Sequence, residues 1–272
     1  MCATCGCGTT EHVHEHGDGA GHVHEHDHQH DHQHDHQHDH VHEHEHAHGY
    51  EGDYRIVTLE QDVLAKNDRV AARNRALFGA RRIAAFNFTS APGAGKTTLL
   101  EALIKQVGGR FPLAVIEGDQ ETARDADRIR STGAPVVQIN TRTGCHLDAQ
   151  MVNAAVTALD PPRGALLLIE NVGNLVCPAL FDLGERAKAV ILSVTEGEDK
   201  PLKYPHMFRA AGIAILSKVD LLPHLDFDVD ECLSNIRRVN PTLRVFQVST
   251  KKGIGLPAFC DYMASQVAMT PA

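Results

Sequence analysis

The segment Ser90-Ala91-Pro92-Gly93-Ala94-Gly95-Lys96-Thr97 carries the spacing of a phosphate-binding loop, GxxxxGK[ST], with Ser90 where the first glycine usually stands. Glycines let backbone N–H groups close around phosphate oxygens, and a following helix turns its positive end toward them. Lys96 is expected on the β- and γ-phosphates as a catalytic charge, and Thr97 on Mg²⁺. Pro92, Gly93, Ala94, Gly95 and Thr98 complete the expected phosphate contacts. A glycine turn that merely joins strand to helix would not need strand, loop, Lys-Thr and helix in this order.

Ser217-Lys218-Val219-Asp220 matches the [NTS]KxD element that reads guanine, with Ser217 where Asn is more usual. An aspartate can accept from both N1–H and the N2 amine of guanine. Adenine offers neither donor, so Asp220 would be left with an unpaired charge, and sites built this way discriminate strongly. Lys218 is expected along the ring, and Ser249-Thr250-Lys251 on the guanine carbonyl. A second Mg²⁺ carboxylate is expected at Glu170, which ends the apolar run Leu166–Ile169, and Gly173 in Glu170-Asn171-Val172-Gly173 would sense the γ-phosphate on a switch. Asn174 replaces the glutamine that positions water in many signalling GTPases, so slow intrinsic turnover is expected. Asp119 is the candidate for orienting the attacking water or holding Mg²⁺; its alternative is a helix N-cap.

Cysteine and histidine supply a second chemistry. Cys2, Cys5 and Cys7 place three soft thiolates at the start of the chain, a set suited to Ni²⁺ or Zn²⁺. From His22 to His48 every second residue is histidine, with Asp, Glu, Gln, Val and Ala between, a pattern for multi-site, exchangeable metal storage. Cys145, His146 and Cys177 form a sparser set, near a strand end and on the proposed switch. Alone, each is more often a buried small side chain; together they would let nucleotide state alter metal geometry. His206 and His224 read as surface residues, Cys232 and Cys260 as helix packing.

The elements that must position these groups follow from composition and periodicity. Of 272 residues, the first 50 hold 17 of the 20 histidines, 10 of the 35 acids and no Lys or Arg, which leaves 25 acids and 26 bases in a near-neutral body. That body has no basic excess and the chain no Trp, against nucleic-acid binding. No apolar run reaches 18 residues and no signal peptide is apparent, so a cytoplasmic protein with thiols rather than disulfides is expected. Residues 1–50 form a Cys/His-rich tail, disordered without metal. Residues 51–82 are expected as a leading helix with Val63, Val70, Leu77 and Phe78 on one face. Residues 83–272 alternate strand-like runs (83–88, 113–117, 136–139, 165–169, 189–194, 213–216, 243–248) with helical stretches (97–107, 121–131, 146–159, 229–239, 256–267). This predicts an α/β, doubly wound, mostly parallel sheet of the P-loop NTPase type.

The chain resembles the HypB family, nickel-incorporation GTPases that mature [NiFe]-hydrogenases, through MCATCGCG, SAPGAGKTTLLE, VIEGDQETARDADRIR, GCHLDAQM, LLLIENVGNLVCPALFDLGE and LSVTEGEDKPLKYPHMF. The resemblance implies a dimerising P-loop GTPase using GTP/GDP and Mg²⁺. It implies a tight nickel site at Cys2, Cys5 and Cys7, and a Ni²⁺ or Zn²⁺ site at Cys145, His146 and Cys177 at a homodimer interface promoted by GTP and metal. Lys200 matches a segment that contacts nucleotide across that interface. Implied partners are a HypA-type accessory protein, a prolyl-isomerase-type nickel donor and the hydrogenase large-subunit precursor, with no nucleic acid and no membrane span. Competing readings are a urease-type nickel-insertion GTPase, whose Cys-Pro-His is absent because Ala179 follows Cys177-Pro178, a nickel or zinc store with residual GTPase, and an RNA-linked GTPase.

Overall fold

The computed structural model describes residues 51–119, 124–142 and 144–269, and only the backbone of 51–60. The chain divides into two units, Met1–Thr58 and Leu59–Ala272. In the first, the described residues belong to the start of helix α1 (Glu51–Arg81).

The second unit is built on seven strands: β1 (Ala84–Ser90), β2 (Leu113–Asp119), β3 (Val136–Asn140), β4 (Leu166–Glu170), β5 (Ala187–Ser193), β6 (Ala211–Ser217) and β7 (Arg244–Val248). They pair in the order β3-β2-β4-β1-β5-β6-β7, every pair parallel. Parallel strands covered on both faces must be apolar along their whole length. That is why LLLIE of β4 is buried at every position, its glutamate included. Between the strands run α2 (Lys96–Val107), α3 (Arg124–Arg130), α4 (Ala149–Leu159), α8 (Val229–Val239) and the C-terminal α9 (Leu256–Ala268).

Side chains alternate across the sheet with period two. Phe86, Phe88, Leu166 and Leu168 pack on one face with Leu99 and Leu103 of α2 and Phe259 of α9. Ala85, Leu167 and Ile169 pack on the other with Phe78 of α1 and Val152 and Val156 of α4. Each fully buried Leu or Phe contributes about 2 kcal/mol of transfer free energy, so the strands that carry the site sit in the stiffest part of the molecule.

Four short elements escape a periodicity reading: α5 (Cys177–Leu180), α6 (Lys200–Lys203), α7 (Pro205–Ala210) and a 3₁₀ turn Val219–His224. None completes enough turns to show a pattern. The face of α1 also differs from expectation. Val63 is exposed, while Asn67, Ala71, Asn74 and Phe78 are buried. The i, i+4, i+7, i+11 spacing is helical, but two of its members are amides. Asn67 accepts from the Ala149 N–H at 2.9 Å and donates to the Asp182 carbonyl at 2.8 Å. Asn74 donates to the carbonyls of Ala149 at 2.8 Å and Leu183 at 3.0 Å. The helix docks on the start of α4 by satisfying its backbone.

Candidate functional site

β1 ends at Ser90, which is buried, and the loop that follows turns into α2 through Gly93 and Gly95 at φ 77° and 94°. These are left-handed values that side-chain-bearing residues avoid. The α2 N-terminus therefore opens onto a cavity of about 490 Å³ lined by the whole loop from Ser90 to Thr98. Because all strands are parallel, their carboxyl ends share one edge, and Glu117, Asp119, Glu170 and Gly173 line the same cavity.

The charges are arranged around Glu170. Its Oε1 accepts from Thr97 Oγ1 at 2.7 Å and lies 3.2 Å from Lys96 Nζ. Its Oε2 is buried and has no hydrogen-bond partner, as is Glu117 Oε2. Two orphaned carboxylate oxygens beside a threonine hydroxyl and a cluster of like charges are costly unless a cation completes them. Thr97, Glu170 and Asp119 thus form an all-oxygen donor set that fits Mg²⁺. Glu117 feels the uncompensated charge most. Burial first, then the neighbouring Glu170 and Asp119, push its carboxyl up to about 8. Gly173 approaches the loop so closely that an added Cβ would sit 3.2 Å from Pro92 Cγ.

The segment expected to read the base docks on the same loop. Ser217 donates to the Ala94 carbonyl at 2.7 Å, and Lys218 Nζ to the Gly93 carbonyl at 2.7 Å. A small recess joins Ser217, Lys218 and Thr250 to Ala94 and Gly95. Ser249 Oγ donates to Asp220 Oδ1 at 2.5 Å, which lowers the aspartate below its usual range. The exposed Lys251 adds attraction to Asp220. An ionised aspartate accepts hydrogen bonds at both oxygens, and Ser249 occupies one of them.

The metal candidates also meet. Ligand atoms of Cys145, His146 and Cys177 lie within 4.8 Å of one another. Burial lowers the His146 pKa, so the ring is a neutral donor, and it packs on Phe181 with centroids 4.0 Å apart. Cys145 and His146 do not open a helix. They precede α4, whose first turn is capped by Asp148 Oδ1 accepting from the Met151 N–H at 2.7 Å. Cys177 instead starts the four-residue α5. Two thiols and an imidazole on short connections suit Ni²⁺ or Zn²⁺ and leave a coordination position open.

Some expected residues stand apart. Lys200 pairs with Glu196 Oε2 at 2.9 Å and lies over the Tyr204 ring, away from the residues that line the phosphate cavity. Cys2, Cys5, Cys7 and the histidine tract lie outside the described residues, as do positions 120–123 after Asp119. Three charged cavity residues went unread, Glu117, Asp125 and Arg128. Glu117 carried the signal of a carboxylate inside an otherwise apolar strand. Arg128, which donates to Thr98 Oγ1 at 2.9 Å and to Glu101, carried none beyond being a charge on a helix.

The model of the CobW/HypB/UreG nucleotide-binding domain matches residues 84–247. A hydrogenase maturation factor HypB of Azotobacter vinelandii is 59% identical over 212 residues, covering 78% of this chain and 70% of the relative. One of Rhizobium leguminosarum bv. viciae is 53% identical over 98% of this chain and 97% of its own. The solved structure of HypB from Helicobacter pylori in complex with nickel superposes with a TM-score of 0.70 at 39% identity, covering 75% of this chain and 95% of that one.

Proposed function

The chain belongs to the hydrogenase maturation factors HypB within the CobW/HypB/UreG family, and from that premise we propose that it is a GTP-hydrolysing, cytoplasmic nickel metallochaperone. It delivers Ni²⁺ to the [NiFe]-hydrogenase large-subunit precursor. The observation that carries the reading is the position of Cys177, on the segment that leaves Glu170 and Gly173, beside Cys145 and His146. One stretch of chain thus belongs to both the phosphate end and the metal end.

In the proposed reaction water attacks the γ-phosphorus of GTP, and GDP and phosphate leave. Lys96 and the α2 N-terminus neutralise charge that grows on the transferred group. Asp119 orients the water. Thr97, Glu170 and Asp119 would hold Mg²⁺, which would supply electrostatic stabilisation of the transferred group. Asp220 and Lys218 select guanine. With Asn174 after Gly173, intrinsic turnover is slow. Nickel is cargo: the Cys145, His146 and Cys177 set takes Ni²⁺, with Zn²⁺ as competitor, in a homodimer promoted by GTP and metal, where Lys200 reaches the partner's nucleotide. Cys2, Cys5 and Cys7 form a tight nickel site and the histidine tract a store. A HypA-type accessory protein and a prolyl-isomerase-type donor are the partners in loading. The Helicobacter pylori HypB was solved in complex with nickel, which supports the choice of cargo.

The test loads the chain with radioactive Ni²⁺ and follows its transfer to purified large-subunit precursor with GTP or GDP. Transfer that depends on GTP is expected. Equal transfer with either nucleotide, or from Lys96→Ala, would remove the gated reading. Deleting residues 1–50 at ample nickel separates delivery from storage: a metallochaperone keeps its transfer, a pure store loses it.

A further inference from the structure

Between the phosphate cavity and the metal trio lie two asparagines. Asn171, directly after Glu170, is buried, and its Oδ1 accepts from the N–H groups of Leu147 and Val172, both at 3.0 Å. Its Nδ2 donates to Asn87 Oδ1 of β1 at 3.2 Å, and Asn87 in turn donates to Glu185 at 3.2 Å. That amide is anchored on every side in the core. Asn174 is different. It is half-buried, directly follows Gly173, and its side chain spans the two ligand-bearing segments. Its Nδ2 donates to the Cys145 carbonyl at 3.3 Å, and its Oδ1 accepts from the N–H of Val176, the residue before Cys177, at 2.8 Å. At the position where a signalling GTPase would hold a water-positioning side chain, Asn174 is not among the residues that line the phosphate cavity and instead bonds the two cysteine-bearing segments.

We infer that Asn174 is the positioning residue that couples the two sites, so that a shift of Gly173 toward the γ-phosphate is passed through one side chain to the spacing of Cys145 and Cys177. The inference rests on the gated-delivery reading above. Asn171 holds the His146–Leu147 side of the metal loop fixed, so a movement of Asn174 changes the distance between the two cysteines rather than translating the whole trio. The 3.3 Å bond to Cys145 is the longer and weaker of the two arms, and therefore the one able to exchange between states at little cost.

The experiment uses the full chain carrying Cys2→Ala, Cys5→Ala and Cys7→Ala. A sulfur-to-nickel absorption band then reports on Cys145 and Cys177, because the histidine tract offers no sulfur. Ni²⁺ is titrated with GDP and then with a non-hydrolysable GTP analogue. In this parent the half-saturating Ni²⁺ should differ by about 5-fold or more between nucleotides, the usual lower range of a coupling between sites. Asn174→Ala should bring the two titrations to within about 2-fold, with nickel still bound and with nickel-free affinity for both nucleotides unchanged. Asn174→Asp keeps an acceptor for Val176 and loses the donor to Cys145, and it should behave as the alanine variant does. No nucleotide effect in the parent overturns the gated-delivery reading and this inference with it. A nucleotide effect that survives in both variants overturns the inference alone. So does loss of the band with both nucleotides, which marks a mere support. So does a hydrolysis rate lowered about 100-fold with coupling intact, which marks a water-positioning side chain.

Discussion

The phosphate cavity and the metal trio are built on opposite principles. Lys96, Glu117, Asp119 and Glu170 of the cavity hang from the carboxyl ends of strands or the first turn of α2, with Phe86, Phe88, Leu99 and Leu168 packed beneath, and Asp125 and Arg128 line it from α3. Glu170 is 1% exposed and Lys96 is held against it. The trio instead sits on short connections: Cys145 and His146 in the turn before α4, Cys177 at the head of a single helical turn. Val176 and Leu180 beside it are exposed. Electrostatic stabilisation of a transferred phosphoryl group needs donors already in place. Cargo that must be taken up and released needs ligands whose spacing can change. On the proposed reading, the strand-borne end carries the phosphoryl chemistry and the loop-borne end carries the nickel cargo.

The comparison breaks first at Lys96. Lys96→Ala removes the one lysine that lines the cavity among the described residues and takes from Glu170 the ammonium 3.2 Å away. Phosphate release should fall by about 1000-fold, while Ni²⁺ bound by the amino-terminal tail stays constant. A parallel loss of tail nickel would show that the two ends are not separable. Asp220→Asn follows. It exchanges an acceptor-only carboxylate for an amide while Ser249 stays in reach. Competition binding should show GTP-over-ATP preference reduced by about 100-fold; undiminished preference would disprove the guanine assignment. Cys145→Ala acts at the pliable end. Nickel binding at the trio should weaken by at least about 10-fold, the effect of losing even an outer support of a metal ligand, with melting temperature unchanged because the side chain is only half-buried. Unaltered nickel affinity in a chain without its tail cysteines would make Cys145 a packing residue.

The rigid end was also the legible end. Apolar runs marked all seven strands, most plainly the fully buried LLLIE of β4 and least plainly the edge strand β7, whose Arg244 and Gln247 are exposed. The phosphate loop and SKxD were readable because their chemistry is local in sequence. The trio was readable only as a conjunction, since 31 positions separate His146 from Cys177 and nothing local joins them. What stayed hidden depends on burial that sequence does not display. Asn67 and Asn74 look like a polar face of α1, yet they are the buried face, because the backbone they meet needs donors and acceptors. Asn87 stands in an expected strand and Asn171 in the expected switch, with nothing in the sequence to join them, yet they form a core network.

A last effect, on stability rather than binding or turnover, tests whether the rigid end is strained before its cation arrives. Glu117 is 2% exposed, and Glu117 Oε2 has no partner. Its carboxyl is raised from 4.5 to about 8, by burial first and then by Glu170 and Asp119. The folded chain therefore holds a proton there that the unfolded chain has released, across the interval from 4.5 to about 8. Stability from this group is present in full below the lower value and is lost as pH rises through the upper one. Chemical denaturation of the nucleotide-free protein, without Mg²⁺, should show stability falling between pH 6 and pH 8 by about 2 kcal/mol, since each unit is worth about 1.4 kcal/mol and the open cavity admits screening water. Glu117→Gln keeps the shape without the charge, so it should flatten that slope and leave the variant the more stable of the two at pH 8. A variant with an unchanged slope would mean that the carboxyl is already ionised, and that the cavity pays no penalty for waiting without its cation.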